Sequence, residues 1–268
     1  MFKIRKLIII VSLIFLAGVL LLANSIRQHY IVPIIMYHYV HPNPDSKDRL
    51  TVSPAIFERQ MRFLKEKHYN VIPLEGLATL IKDNKKIPPK TLAITIDDGH
   101  KDNYNYIFPI LKKYNLPATM FVIIDEIGRP QNDRLSWDEI KQMQDSGIIT
   151  IGSHSLGPEP LINIKSEEEI KRQIFESKRI LEEKLGKEVS AFSYPEGFFN
   201  AKIKKMVMDA GYKASVATSP GINFPDNDPF ALKRLRISSN AGNLFIFYIE
   251  ASGYYLPVRE FQRRNRDR

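Results

Sequence analysis

Cysteine is absent from the 268 residues. Disulfides, thiolate metal sites and cysteine nucleophiles are thereby excluded. The lack leaves the compartment open, since exported proteins often do without disulfides. Internal repeats and low-complexity tracts are missing too. So is any basic-aromatic array of the nucleic-acid-binding kind, although the net charge is +9. Nucleic acid is therefore not an expected partner. The excess charge suits anionic surroundings such as lipid head groups or a cell-wall polymer. Part of it sits at the ends, in Lys3, Arg5 and Lys6 and in Arg263, Arg264, Arg266 and Arg268.

Long apolar runs are scarce, and the one that occurs speaks to location. Residues 7–26 carry no charge and are dominated by Leu, Ile and Val. At about 1.5 Å per residue, the run approaches the roughly 30 Å hydrocarbon thickness of a bilayer. Its basic flank is N-terminal, so the N-terminus is expected in the cytoplasm and the rest outside. Leu21-Leu22-Ala23-Asn24 is not a clean small-x-small cleavage site. An uncleaved signal anchor is the expectation, with a cleaved, secreted form as the alternative. Residues 1–30 then form a cytoplasmic stub and anchor helix, 31–255 the folded domain, and 256–268 a basic tail.

The composition is 44% hydrophobic, which is ordinary for a protein with a proper core. From residue 31 onward, short apolar runs alternate with segments of helical periodicity. Strands are expected at 31–37, 70–74, 92–96, 118–124, 149–153, 191–194, 213–218 and 235–237. Between them lie helices opened by Ser53-Pro54, by Ser136 with Glu139 and by Ser166 with Glu169, which are N-cap and capping-box patterns. Further helices are expected at 75–82, 103–114, 201–210 and 243–251. Such alternation implies a parallel sheet with helical crossovers, and six or more units suggest a closed or nearly closed barrel. Chemistry in such folds sits at the C-terminal strand ends. His38, Asp97, Asp98, His154 and Tyr194 all fall at or just past one.

Thr95-Ile96-Asp97-Asp98-Gly99 ends an apolar strand in paired acids. Two like charges side by side cost energy unless a cation or a proton offsets them. One Asp can hold a metal while its neighbour takes a proton from metal-bound water. The plain alternative is a strand end whose aspartates turn the chain and cap a helix.

With two further segments, these residues resemble the polysaccharide deacetylases, the NodB-homology group or carbohydrate esterase family four. Thr95 to Gly99 is similar to the first motif of that family. Ile151-Gly152-Ser153-His154-Ser155 is similar to the second, and Phe192-Ser193-Tyr194-Pro195-Glu196-Gly197 to the third. Pro33-Ile34-Ile35-Met36-Tyr37-His38 resembles the leading strand of the exported branch, which includes poly-N-acetylglucosamine deacetylases. The resemblance spans roughly residues 31–237. It implies a distorted (β/α) barrel, which the apolar run at 7–26 is expected to precede as one transmembrane helix. The implied enzyme removes N-acetyl groups from a polysaccharide at the cell surface with a divalent metal, zinc for choice. By the same token Asp97 is the base, Asp98 and His154 are metal ligands, and the backbone N–H at Tyr194 steadies the oxyanion. Pro195, Gly197 and His38 complete the expected substrate contacts.

Three departures qualify the match. The usual second ligand histidine would fall on Pro158, which cannot ligate, or one residue later on Glu159, whose carboxylate can. Ser193 stands where the third motif commonly begins with Arg. No histidine follows His154 to serve as the late general acid, so another group or water has to protonate the leaving amine; His38, at a strand end facing the same end of the barrel, is a candidate for acid or substrate contact. Two other functions stay open: an impaired barrel that binds glycan or a partner, and an esterase removing O-acetyl groups from a polysaccharide.

Overall fold

The computed structural model describes residues 31–44, 50–129, 133–218, 228–237 and 242–256, together with Gly18. The expected anchor, Gly18 apart, and the tail from 257 on lie outside the described residues. Among those described, no helix is long and apolar enough to cross a membrane.

Buried apolar runs of four to six residues make the first long strands, β1 (Ile34–Tyr37) and, further on, β5 (Thr91–Ile96). Between them lie a small parallel pair, β2 (Tyr39–Val40) and β3 (Thr51–Val52), and β4 (Asn70–Val71), which pairs with β5. β6 (Ala118–Val122), β7 (Ile149–Ser153), β8 (Ala191–Ser193) and β9 (Ala214–Ala217) follow, then two short strands, β10 (Leu232–Lys233) and β11 (Leu235–Arg236). The strand order is β10-β9-β8-β7-β6-β5-β1-β11, and every pairing is parallel. The two ends of that path, β10 and β11, are separated in the chain by Arg234 alone. β10 pairs with β9 and β11 with β1, so one residue carries the chain across the seam. The result is the expected parallel barrel, nearly closed. β2, β3 and β10 are the strands that the sequence pattern did not announce, because two residues carry no period.

The described residues include seven helices: α1 (Pro54–Glu66), α2 (Leu74–Lys82), α3 (Phe108–Tyr114), α4 (Trp137–Asp145), α5 (Glu167–Leu185), α6 (Ala201–Asp209) and α7 (Leu244–Glu250). Their starts follow the sequence signals. Ser53, Ser136 and Ser166 each accept a backbone N–H of the first turn, and Ser136 with Glu139 completes a reciprocal capping box. The helix expected over 103–114 opens instead as a π-turn, Asn103–Ile107. Pro109 has no N–H for an i→i−4 bond, and the Phe108 N–H reaches back five residues to Asn103.

Side chains alternate across each strand, and this sorts the barrel into layers. Ile35, Ile94, Ile96, Met120, Ile151 and Phe192 face outward and join the large cluster under the helices. Ile34, Ala93, Phe121, Ala191, Ala214, Val216 and Leu232 face inward. They meet Leu74, Leu77 and Ala78 of α2 in a second cluster. Phe121 is the one aromatic of that inward set, and its ring occupies the space opposite Gly152. A Cβ added at Gly152 would lie 2.6 Å from that ring. The apolar plug fills the N-terminal half of the barrel, and the same inward parity delivers the polar residues at the other end.

Candidate active site

Two residues beyond Thr95 on the inward face of β5, the chain places Asp97, which is 2% exposed. Arg234, at the seam and equally buried at 2%, meets it side-on. Its Nη1 donates to Oδ1 at 2.6 Å and its Nη2 to Oδ2 at 2.7 Å. Nη2 also donates to Ser193 Oγ at 3.0 Å. Beneath, the guanidinium carbon lies 5.7 Å from the centre of the Phe121 ring. A forked donor matched to both carboxylate oxygens is the strong form of such a pair. Burial alone would push the Asp97 carboxyl up, but the Arg234 charge and hydrogen bonds outweigh it and hold the group below its usual range. Arg234 thus supplies the guanidinium that Ser193 cannot.

Asp98 is turned out of the strand by a left-handed backbone, φ 72°, followed by Gly99 at φ 69°. At Gly99 a Cβ would come within 3.0 Å of Val122, so the turn needs glycine. Arg134 Nη1 donates to the Asp98 carbonyl at 2.9 Å and steadies it. The carboxylate lies between two histidines, with Oδ1 3.5 Å from His154 Nε2 and Oδ2 3.4 Å from His100 Nε2. Burial pushes its carboxyl up, but the His100 hydrogen bond and the charges of His154 and His38 prevail and hold it well below the usual range.

His154 decides what this cluster can bind. Its Nδ1 is 2.8 Å from the Ser193 carbonyl, which can only accept. Nδ1 therefore carries the hydrogen, and Nε2 faces Asp98 Oδ1 at 3.5 Å and Asp97 Oδ2 at 3.8 Å. A bare nitrogen lone pair turned toward two carboxylates is repulsive. Something positive belongs among them, either a proton on Nε2 or a cation. The donor types, one imidazole nitrogen and one carboxylate oxygen, suit zinc and similar divalent ions.

The expected third ligand is not there. Glu159 is exposed on the loop after β7, and among the described residues no three His, Cys, Asp or Glu side chains gather closely enough to hold a metal. The loop is pulled the other way. Ser155 takes φ 67° and its Oγ donates to the Gly157 carbonyl at 2.6 Å. Gln173 of α5 accepts the Gly157 N–H at 2.9 Å, and Asp125 N–H donates to the Leu156 carbonyl at 2.9 Å. Glu159 is thereby left outside the Asp98–His154 pair, which holds two side-chain donors for a cation.

The remaining expected contacts divide. His38 follows β1, whose register pairs Tyr37 with Ile96, so it stands beside Asp97. Its Nδ1 is buried without a hydrogen-bond partner, and burial lowers its pKa against the pull of Asp97 and Asp98. Tyr194 is not free to meet a substrate. Its N–H donates to the Val216 carbonyl at 3.1 Å, its hydroxyl to the Phe230 carbonyl at 3.1 Å, and its ring is fully buried. The assignment of the oxyanion donor to that N–H is corrected by this strand bond. Pro195 and Gly197 are buried as well. Gly197, at φ 78°, packs so tightly that a Cβ would lie 2.6 Å from Thr218 N. The turn presents Glu196, at φ 55°, and Phe198, 55% exposed, instead.

Sequence patterns do not single out Arg234, His100 or Arg134. For the first, the usable signal is the serine at position 193, since a buried Asp97 needs a cation from somewhere. Lys233-Arg234-Leu235-Arg236 is the place to look.

A family profile described as "Polysaccharide deacetylase" matches residues 84–215. YxkH of Bacillus subtilis, named as a polysaccharide deacetylase, is 31% identical over 221 residues, which is 82% of this chain and 76% of YxkH. A poly-beta-1,6-N-acetyl-D-glucosamine N-deacetylase of Staphylococcus aureus is 26% identical over 201 residues, 71% of this chain and 69% of that protein. Among solved structures, the Streptococcus pyogenes deacetylase PplD in complex with acetate superposes with a TM-score of 0.73 at 27% identity, covering 81% of this chain and 97% of that one.

Proposed function

The chain belongs to the polysaccharide deacetylase family, and on that premise we propose that it hydrolyses N-acetyl groups of a GlcNAc-containing polysaccharide at the cell surface. The observation that carries the reading is the His154 ring. Its Nδ1 is committed to Ser193 and its Nε2 is turned on two carboxylates. Asp98 and His154 would hold a divalent ion, zinc for choice. Such an ion supplies polarisation of the acetamide carbonyl and acidification of a water.

The protein's own groups do the rest. Asp97 is kept ionised by Arg234 and takes the water's proton at Oδ2, the oxygen nearer His154. The same ion pair makes Asp97 a weak base, so it works on an acidified water rather than a bulk one. His38, with its unpartnered nitrogen beside Asp97, is the group placed to meet the sugar amide or the leaving amine. Residues 7–26 would tether the domain outside the cytoplasm.

The missing third ligand favours a second reading, an impaired barrel that binds glycan. Acetate release decides between them. With zinc supplied, the protein is expected to free acetate from poly-N-acetylglucosamine or a related N-acetylated polymer. Asp97→Asn should cut the rate by about 10² to 10⁴. A folded protein that takes up no zinc and frees no acetate from several such glycans is a binder. Acetate freed from O-acetylated polymers alone makes it an esterase.

A further inference from the structure

Helix α7 differs from the other helices in what it leaves uncovered. Phe245, Ile246, Tyr248 and Ile249 are 68%, 40%, 51% and 37% exposed. Phe247 alone of its side chains is buried, and its ring centre lies 6.0 Å from that of Phe63 on α1. The remaining large exposed apolar side chains among the described residues, Ile162, Phe175, Phe198 and Met208, belong to separate elements. A contiguous apolar face of this kind marks an interaction surface.

Its place in the fold says what covers it. The Ile31 N–H donates to the Gly253 carbonyl at 3.0 Å, three residues past the end of α7. The chain therefore enters the barrel beside this helix, at the end opposite Asp97. Residues 27–30 are all that separate Ile31 from the uncharged run 7–26, and four extended residues reach at most about 14 Å. Beyond Leu256 the sequence carries Arg259, Arg263, Arg264, Arg266 and Arg268 against Glu260 and Asp267. The amphipathic ring of tyrosine favours the membrane interface, apolar side chains such as Phe and Ile line the buried face of an interfacial helix, and arginine favours anionic head groups.

We propose that the Phe245, Ile246, Tyr248 and Ile249 face lies in the head-group region of an anionic bilayer. There it holds the barrel with its catalytic mouth turned away from the membrane. The inference rests on residues 7–26 being a membrane anchor, and the test separates the two.

The chain has no cysteine, so a single one can carry an environment-sensitive dye. Full-length Phe245→Cys, and as control Phe175→Cys on α5, are reconstituted in phosphatidylglycerol vesicles containing a spin-labelled lipid. The dye at 245 is expected to shift to the blue and to be quenched several-fold more by the lipid than the dye at 175. Equal quenching at both sites overturns the proposal. So does a dye at 245 that aqueous iodide reaches freely, or one that neither quencher reaches, which would mean cover by protein. A carbonate wash reports on the anchor separately. Protein that resists the wash but shows no lipid quenching at 245 keeps the anchor and loses the docking face. Protein that washes off yet is quenched at 245 beforehand keeps the face and loses the anchor.

Discussion

Asp97 and Asp98 are neighbours at the end of one strand, yet they live in opposite surroundings. Asp97 is closed in on every side. Arg234 holds both its oxygens from across the barrel seam, Ser193 stands alongside, and Phe121 lies beneath. Asp98 is turned outward by a left-handed backbone and sits between the rings of His100 and His154. The difference is one of who answers the charge. A carboxylate inside a barrel must bring its counter-ion with it, because desolvation is otherwise too costly. A carboxylate at the mouth can leave that role to something that arrives.

The largest effect is expected at Arg234, the counter-ion of Asp97. Arg234→Met leaves Asp97 buried and unpaired, and should destabilise the fold by about 3–5 kcal/mol, read by urea unfolding at pH 7. Arg234→Lys should fall between, since an ammonium cannot match both oxygens at once. The loss depends on pH. The native carboxyl of Asp97 is held below its unfolded value of about 3.9, so the pair's contribution is present above that pH and fades as pH falls through the native value. Wild type and Arg234→Met should therefore converge in stability in strong acid. A difference that persists undiminished there would mean that packing on Phe121, and not charge, is what Arg234 contributes.

A smaller and more local effect separates the proposed ligand His154 from Glu159. His154→Ala should abolish zinc uptake measured on the folded protein, and acetate release with it. Glu159→Gln should leave both within a few-fold of wild type, because the loop carries Glu159 away from the pair. Equal losses in the two variants would show that the loop swings in when metal binds, and that Asp98 is as fully enclosed as Asp97.

Asp102 sharpens the contrast with the least effect. It is 6% exposed and accepts the Val40 N–H at 2.9 Å, and no lysine or arginine among the described residues pairs with it. Burial pushes its carboxyl up to about 7. A native value above the unfolded one means a penalty that grows as pH rises from about 4 and is complete above about 7. Asp102→Asn should accordingly gain on wild type between pH 5 and pH 8 in denaturant midpoint. A constant offset between the two proteins would remove Asp102 from the set of strained acids.

Asp97, Asp98 and His154 are legible in the chain itself, since each stands just past a run of strand-forming residues. The capping serines are legible because their partners lie three residues away. Arg234 is not, because its partner is 137 positions distant. Glu159 is misplaced by a motif reading because the course of its loop depends on Gln173 and Asp125. Tyr194 is misplaced because its N–H belongs to a strand pairing with Val216 that the motif alone does not reveal.

By itself, then, the sequence determined the alternation of strands and helices, the helix starts, the inward parity of each strand and the polar residues that end it. These depend on periods of two and 3.6 residues and on contacts within one turn. The tertiary structure decided how the barrel closes, which cation meets Asp97 and which side chains accompany Asp98. Those depend on where strands β9, β10, β11 and β1 meet, and packing across a seam leaves no period in the chain.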